Sequence, residues 1–175
     1  RYLADGSSVD VVRVDHQNRP RPVFREFEGI DVAQPSVSAL LETLRARAYQ
    51  NVFVHLLDDK TWEVIEPFLD HLKVTIWIHG AEIQPWTRRA FEFERLSESE
   101  VARQKRLSEK RMAFWRRIMS DFHDNVHLVF VSQHFADEVM QDLGLELAPS
   151  RYSIIPNFVD PDLFRYRDRC PEDRL

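Results

Sequence analysis

Residues 74–82 read VTIWIHGAE, and the fold is decided here. Val74, Thr75, Ile76, Trp77 and Ile78 are β-branched or aromatic, the side chains that suit a pleated strand. His79 and Gly80 then break the run with a polar ring and a residue free to take positive φ. Other runs read alike: VDVVRV at 9–14, PVFREF at 22–27, NVFVHLL at 51–57 and HLVFVS at 127–132, with YSIIP at 152–156 closing on Pro156. Most are continuously apolar rather than alternating, which predicts strands covered on both faces, as in a parallel sheet.

Helical patterns lie between these runs. SVSALLETLRARAY sets Val37, Leu40, Leu41 and Leu44 on one face, and DKTWEVIEPFLDHL does so with Trp62, Ile65 and Leu69. Pro67 predicts a bend or restart in the latter, and Asp58 and Asp59 read as its caps. Ser97 and Glu100 form an S-x-x-E capping box for a long helix reaching about Met119. QHFADEVMQDL ends on Gly144, a stop signal. Gly6 reads as a turn into the first strand, and NRPRP at 18–22 as a proline-rich loop. Alternating strands and helices with short connections predict an α/β fold, a Rossmann-like parallel sheet with helices on both faces.

The chain has 175 residues, about one domain, enough to bury roughly 70% of its unfolded surface without staples. No run nears the ~20 apolar residues of a membrane span, and the first residues lack a signal-peptide layout. The expectation is a soluble protein or a piece of a longer one. Cys170 is the only cysteine, so no intrachain disulfide or thiolate cluster can form, which suits a reducing cytoplasm. The seven histidines form no compact ligand set, so no metal site is expected; no cofactor is expected either. A net charge of −5 argues against nucleic-acid binding, which needs a basic footprint. The charge is uneven: Arg103, Lys105, Arg106, Lys110, Arg111, Arg116 and Arg117 crowd one segment against Glu109 alone.

In open parallel sheets, ligands bind beyond the carboxyl ends of the strands. Three segments end strands with polar or small residues: His79, Gly80 and Glu82; Ser132; and Asn157 with Asp160. If the strands are parallel, these converge on one edge. His79 can bond a sugar hydroxyl or phosphate, or move a proton near neutral pH; equally, it can bond a neighbouring carbonyl. Gly80 would let a ligand approach the backbone. Ser132 reads first as a helix N-cap, although a helix N-terminus also attracts anions. His55, inside an apolar run, reads as a core or strand-end residue.

Taken together, VTIWIHGAE, HLVFVSQHFADEVMQDLG and YSIIPNFVDPDLF resemble the N-terminal, acceptor-side domain of GT-B glycosyltransferases of the family-four type. The likeness runs over about residues 50 to 165. The last segment is similar to the family's IPNGVD…F hinge, with Phe158 in place of the usual glycine. The resemblance implies an incomplete half of a two-domain GT-B fold: residues 1–165 as the Rossmann-like domain, lacking its first strand and glycine-rich loop, and 166–175 as the start of the interdomain linker. It implies a cytoplasmic hexosyltransferase, of the kind used in polysaccharide biosynthesis, acting without metal and with retention of configuration. The nucleotide-sugar donor would be held mainly by a missing C-terminal domain, and the acceptor would be a glycan or lipid-linked. His79 becomes the catalytic residue, with Gly80, Glu82, Trp86, Arg88, Ser132, Asn157 and Asp160 binding substrate. The paired glutamates of the donor domain are absent, so the piece alone is expected to be inactive.

Two segments stay open to more than one reading. Trp86, Arg88, Arg89, Phe91 and Phe93 can line an acceptor groove, because sugars stack on rings and arginine pairs with phosphate, or can pack between domains. The basic stretch 101–122, with Leu107, Phe114, Trp115, Ile118 and Phe122 as an apolar stripe, can lie peripherally on the inner face of a membrane. It can also cover a sheet with lysine stems spread over the core. The rivals to a transferase are a non-catalytic α/β interaction domain and another GT-B enzyme such as a sugar-nucleotide epimerase.

Overall fold

The structure, a computed structural model, describes residues 9–14, 23–27, 30–34 and 36–162. The turn at Gly6, the loop at 18–22 and the linker at 166–175 lie outside them. Seven strands are described: β1 (Val11–Val12), β2 (Val23–Phe27), β3 (Ile30–Gln34), β4 (Asn51–His55), β5 (Lys73–Ile78), β6 (Val126–Phe130) and β7 (Tyr152–Ile154). Four helices accompany them: α1 (Val37–Ala46), α2 (Asp59–Ile65), α3 (Glu98–Ser120) and α4 (Gln133–Leu143). The fold is α/β, with a four-stranded all-parallel sheet flanked by helices, consistent with a Rossmann-like arrangement.

Local signals are met where the sequence places them. Asp58, Ser97 and Ser132 cap α2 to α4, Ser97 with Glu100 completes the capping box, and Ser36, which the sequence reading did not single out, caps α1. The α2 helix ends at Ile65 and tightens into a 3-10 turn through Pro67. Gly144 closes α4 at φ 66°, a left-handed cap. The N-terminal strands form a separate small sheet, ordered β1-β3-β2, in which β2 and β3 are antiparallel. The sequence reading contains no strand at 30–34.

The main sheet is ordered β4-β5-β6-β7, the order of the chain itself. Right-handed crossovers that always advance in one direction deposit every helix on the same side. Burial agrees. Val54, Val74, Ile76, Ile78, Val126, Leu128 and Phe130 point to one face and join the buried residues of all four helices in one core. The alternate positions, Phe53, His55, Thr75, Trp77, His127 and Ser153, lie on the opposite face and outside that core. Helices on both faces are therefore not found among the described residues. Only β6 keeps the expected continuous burial, with Val129 2% exposed although it belongs to the second face.

Candidate functional site

The registers Ile78↔Phe130↔Ile154 align the carboxyl ends of β5, β6 and β7. Adjacent strands lie about 4.8 Å apart, so His79, Val131 and Ile155 leave the sheet side by side. The amide of Ile155 still donates to Phe130 O at 2.9 Å, one residue past the printed strand. The expected convergence is present. The order β4-β5-β6-β7 contains no reversal, however, so these four strands alone do not open the crevice that a reversal creates. They present an edge.

At that edge the β5 loop is tightly held. His79 and Gly80 both donate their amides to the Glu82 carboxylate, Gly80 at 2.9 Å. Gly80 O accepts from Ile83 and Gln84, and Ile83 is buried beneath. From α3, Trp115 Nε1 donates to Glu82 O at 2.6 Å and Arg111 donates to Gln84 O at 3.1 Å. Gly80 sits at φ 135°, a conformation reserved for glycine. The loop is thus pinned from its own side chain and from the helix layer, while the His79 side chain stays exposed.

His79 is not alone. Its Nε2 lies 2.8 Å from Nδ1 of His55 on β4, and the rings stack with centroids 5.1 Å apart. His55 stacks in turn on Trp77 at 5.3 Å, and Phe53 tilts against Trp77 at 5.9 Å. This row of rings runs along the open face because β4 and β5 pair His55 with Trp77. Burial pushes the His55 imidazole below its ordinary range, the charge of His79 pushes it further, and Glu82 opposes both. The sequence reading gave His55 no role. The one available signal was its position on strand NVFVH with the same parity as Phe53.

Several of the other expected site residues are already bonded within the protein. Glu82 spends its carboxylate on the loop amides. Ser132 accepts from Phe135 N at 3.1 Å, the cap its sequence suggests. Asn157 is exposed beyond β7, and Asp160 closes its own turn by accepting from Asp162 N at 2.9 Å. Arg88 is occupied elsewhere: it reaches Asp142 through two bonds of 2.5 and 3.0 Å and Glu138 at 2.6 Å. These bonds hold its pKa above the ordinary value, the Asp142 hydrogen bond most of all. It therefore sits along α4, on the helix layer rather than at the strand ends. Trp86 stacks on Phe93 and lies under Lys105 Nζ, 4.1 Å from its ring centre, within a 3-10 segment, Trp86–Phe93.

The basic helix is largely used internally. Arg116 donates to Leu143 O at the end of α4, and Arg117 pairs with Glu66 at 3.0 Å. Arg111 is half-buried, and burial with the nearby Arg89 lowers its pKa. The buried stripe of α3 is Ser108, Met112, Trp115, Ile118 and Met119. The expected Leu107 is 47% exposed instead, and Phe114 and Phe122 are half-buried. Among the described residues no group of three or more His, Cys, Asp or Glu is placed to hold a metal ion, and no helix is long and apolar enough to cross a membrane. No family model, curated protein or solved structure matches the chain.

Proposed function

We propose that this chain is the acceptor-side half of a two-domain GT-B glycosyltransferase and that its ligand edge is centred on His79. The observation carrying this reading is the pinned loop after β5, which holds an exposed imidazole level with the ends of β6 and β7. A site whose backbone is fixed before the ligand arrives loses little entropy on binding. In the transfer, the bond from the sugar's anomeric carbon to the donor phosphate oxygen breaks, and the diphosphate leaves with the electron pair. A bond to an acceptor hydroxyl oxygen forms, and that hydroxyl passes its proton to the His79 imidazole. His79 contributes a hydrogen bond to the sugar or its phosphate. The donor is a nucleotide sugar held mainly by a second domain, and the acceptor is a glycan or lipid-linked sugar. Peripheral membrane contact through 101–122 rests on Arg106 and Lys110, which are exposed and form no ion pair among the described residues.

A second reading, a non-catalytic interaction domain, draws on the exposed apolar residues at the same edge, Leu56, Ile155 and Val159. The test is to express the natural gene in full and measure nucleoside diphosphate release from a panel of nucleotide sugars, with and without His79→Ala. Release that depends on His79 supports the transferase. A reading frame without a second α/β unit, or no release from any donor, overturns it. The 175-residue chain alone should bind nucleotide sugars weakly; tight, stoichiometric binding by calorimetry contradicts this placement of the donor.

A further inference from the structure

We propose that His55 and His79 share one proton and act as a single unit, which makes His55 the positioning residue for His79. The inference rests on His79 being the ligand-facing group of the proposed site, and it deepens that reading.

The geometry carries it. Nδ1 of His55 and Nε2 of His79 are 2.8 Å apart, a hydrogen-bond distance that requires a proton on one nitrogen and a lone pair on the other. Two arrangements satisfy it. In the first, His55 Nδ1–H donates to His79 Nε2, so neutral His79 keeps its proton on Nδ1 and offers a donor. In the second, His79 Nε2–H donates to His55 Nδ1, the His55 proton sits on Nε2, and His79 Nδ1 offers a lone pair. In both, Nδ1 is the His79 ring nitrogen without a protein partner among the described residues. Passing from the second to the first takes up one proton at His79 Nδ1, moves one across the 2.8 Å contact and releases one from His55 Nε2. The pair carries no net charge in either end arrangement. A group that both accepts and passes on a proton suits the hydroxyl that must lose one.

The surroundings hold this arrangement in place. Trp77 stacks on His55 and stops that ring from rotating away. The backbone of His79 is fixed through Glu82. The charged groups that act on His55 are His79 and Glu82. The helices send none, since they lie on the other face; His127, farther along the open face on β6, is bonded to Ser153 at 2.8 Å. A charge on His79 pushes the His55 imidazole down, so the two rings are linked electrostatically as well as by the hydrogen bond.

Histidine-selective ¹⁵N NMR on this chain between pH 5 and 8.5 reads ring tautomers directly. The expected result is that ring shifts of both residues move in both protonation steps, and that the two-step form is lost in His55→Phe, which keeps a ring against Trp77. His55→Asn, whose amide sits where Nδ1 was, should restore the wild-type tautomer of His79. Independent one-step curves in the wild-type chain overturn the proposal without any variant being needed. So does a His79 tautomer unmoved by His55→Phe. These outcomes are separate from transferase activity: coupled rings in a protein that transfers no sugar would leave the pair standing and remove the reading it rests on.

Discussion

Trp115, in the second half of α3, donates its indole Nε1–H to the carbonyl oxygen of Glu82 at 2.6 Å. The indole is fully buried, and the carbonyl belongs to the residue whose carboxylate closes the His79 loop. The helix layer thus reaches the candidate site through this bond and through Arg111, which donates to Gln84 O. Tryptophan suits the position because a buried indole offers a large apolar body and one donor that must find a partner.

Replacing that donor tests the link. Trp115→Phe keeps most of the packing but leaves Glu82 O without its partner. Leaving a buried acceptor unsatisfied costs about 1–3 kcal/mol. Urea unfolding should show a lower midpoint at unchanged slope, and the His79 ring signals should broaden or shift. Unchanged stability would show that the bond is replaced by water.

Gly80→Ala should destabilise for a backbone reason. Nothing crowds the new methyl group, since the nearest atoms, on Gln84 and Phe135, lie 3.9 Å away. The φ of 135° is the obstacle, because L side chains rarely adopt it. Strain of this kind costs about 1–3 kcal/mol. Thermal unfolding compares the two proteins, and an equal midpoint would contradict the assignment.

Arg88 joins the 3-10 segment after β5 to α4 through Asp142 and Glu138. Arg88→Ala should destabilise by about 1–3 kcal/mol, as for hydrogen bonds to charged groups. Arg88→Lys should recover only part of the loss, because a lysine cannot make the paired bonds to Asp142. The side chains keep some solvent contact, so 1 M salt should narrow the difference. A strong loss of ligand binding with stability unchanged would return Arg88 to the substrate-binding role expected from sequence.

Stability should fall on mild acidification. Burial, helped by His79, lowers the His55 pKa below its ordinary 6.5. Below pH 6.5 the unfolded chain therefore binds a proton that folded His55 resists. Stability rises with pH wherever the unfolded state holds more protons, so the His55 contribution is present above about 6.5 and declines as pH drops through its folded value. His55→Phe should flatten melting temperature against pH in this window. An equally steep decline in that variant would assign the effect to other groups.

The sequence by itself determined what depends on neighbours a few residues apart. The caps at Asp58, Ser97 and Ser132, the stop at Gly144, the break at Pro67 and the apolar runs at 51–57, 74–79 and 127–132 follow from side chains bonding backbone within one turn or from short stretches of strand-forming residues. That β5, β6 and β7 run parallel was also foreseeable, since each is separated from the next by a helix. What sequence could not supply was partnership across the chain. His55 and His79 are 24 residues apart and meet only because β4 and β5 pair in a particular register. Arg88 finds Asp142 across 54 residues, so the side chain given a ligand role from sequence is engaged in an ion pair. The one-sided helix layer was hidden for a related reason. A continuous apolar run says that a strand is sheltered, but the order of strands decides which face the crossovers cover. That order is a property of the assembled sheet, fixed when long-range pairing wins over the entropy of the open chain.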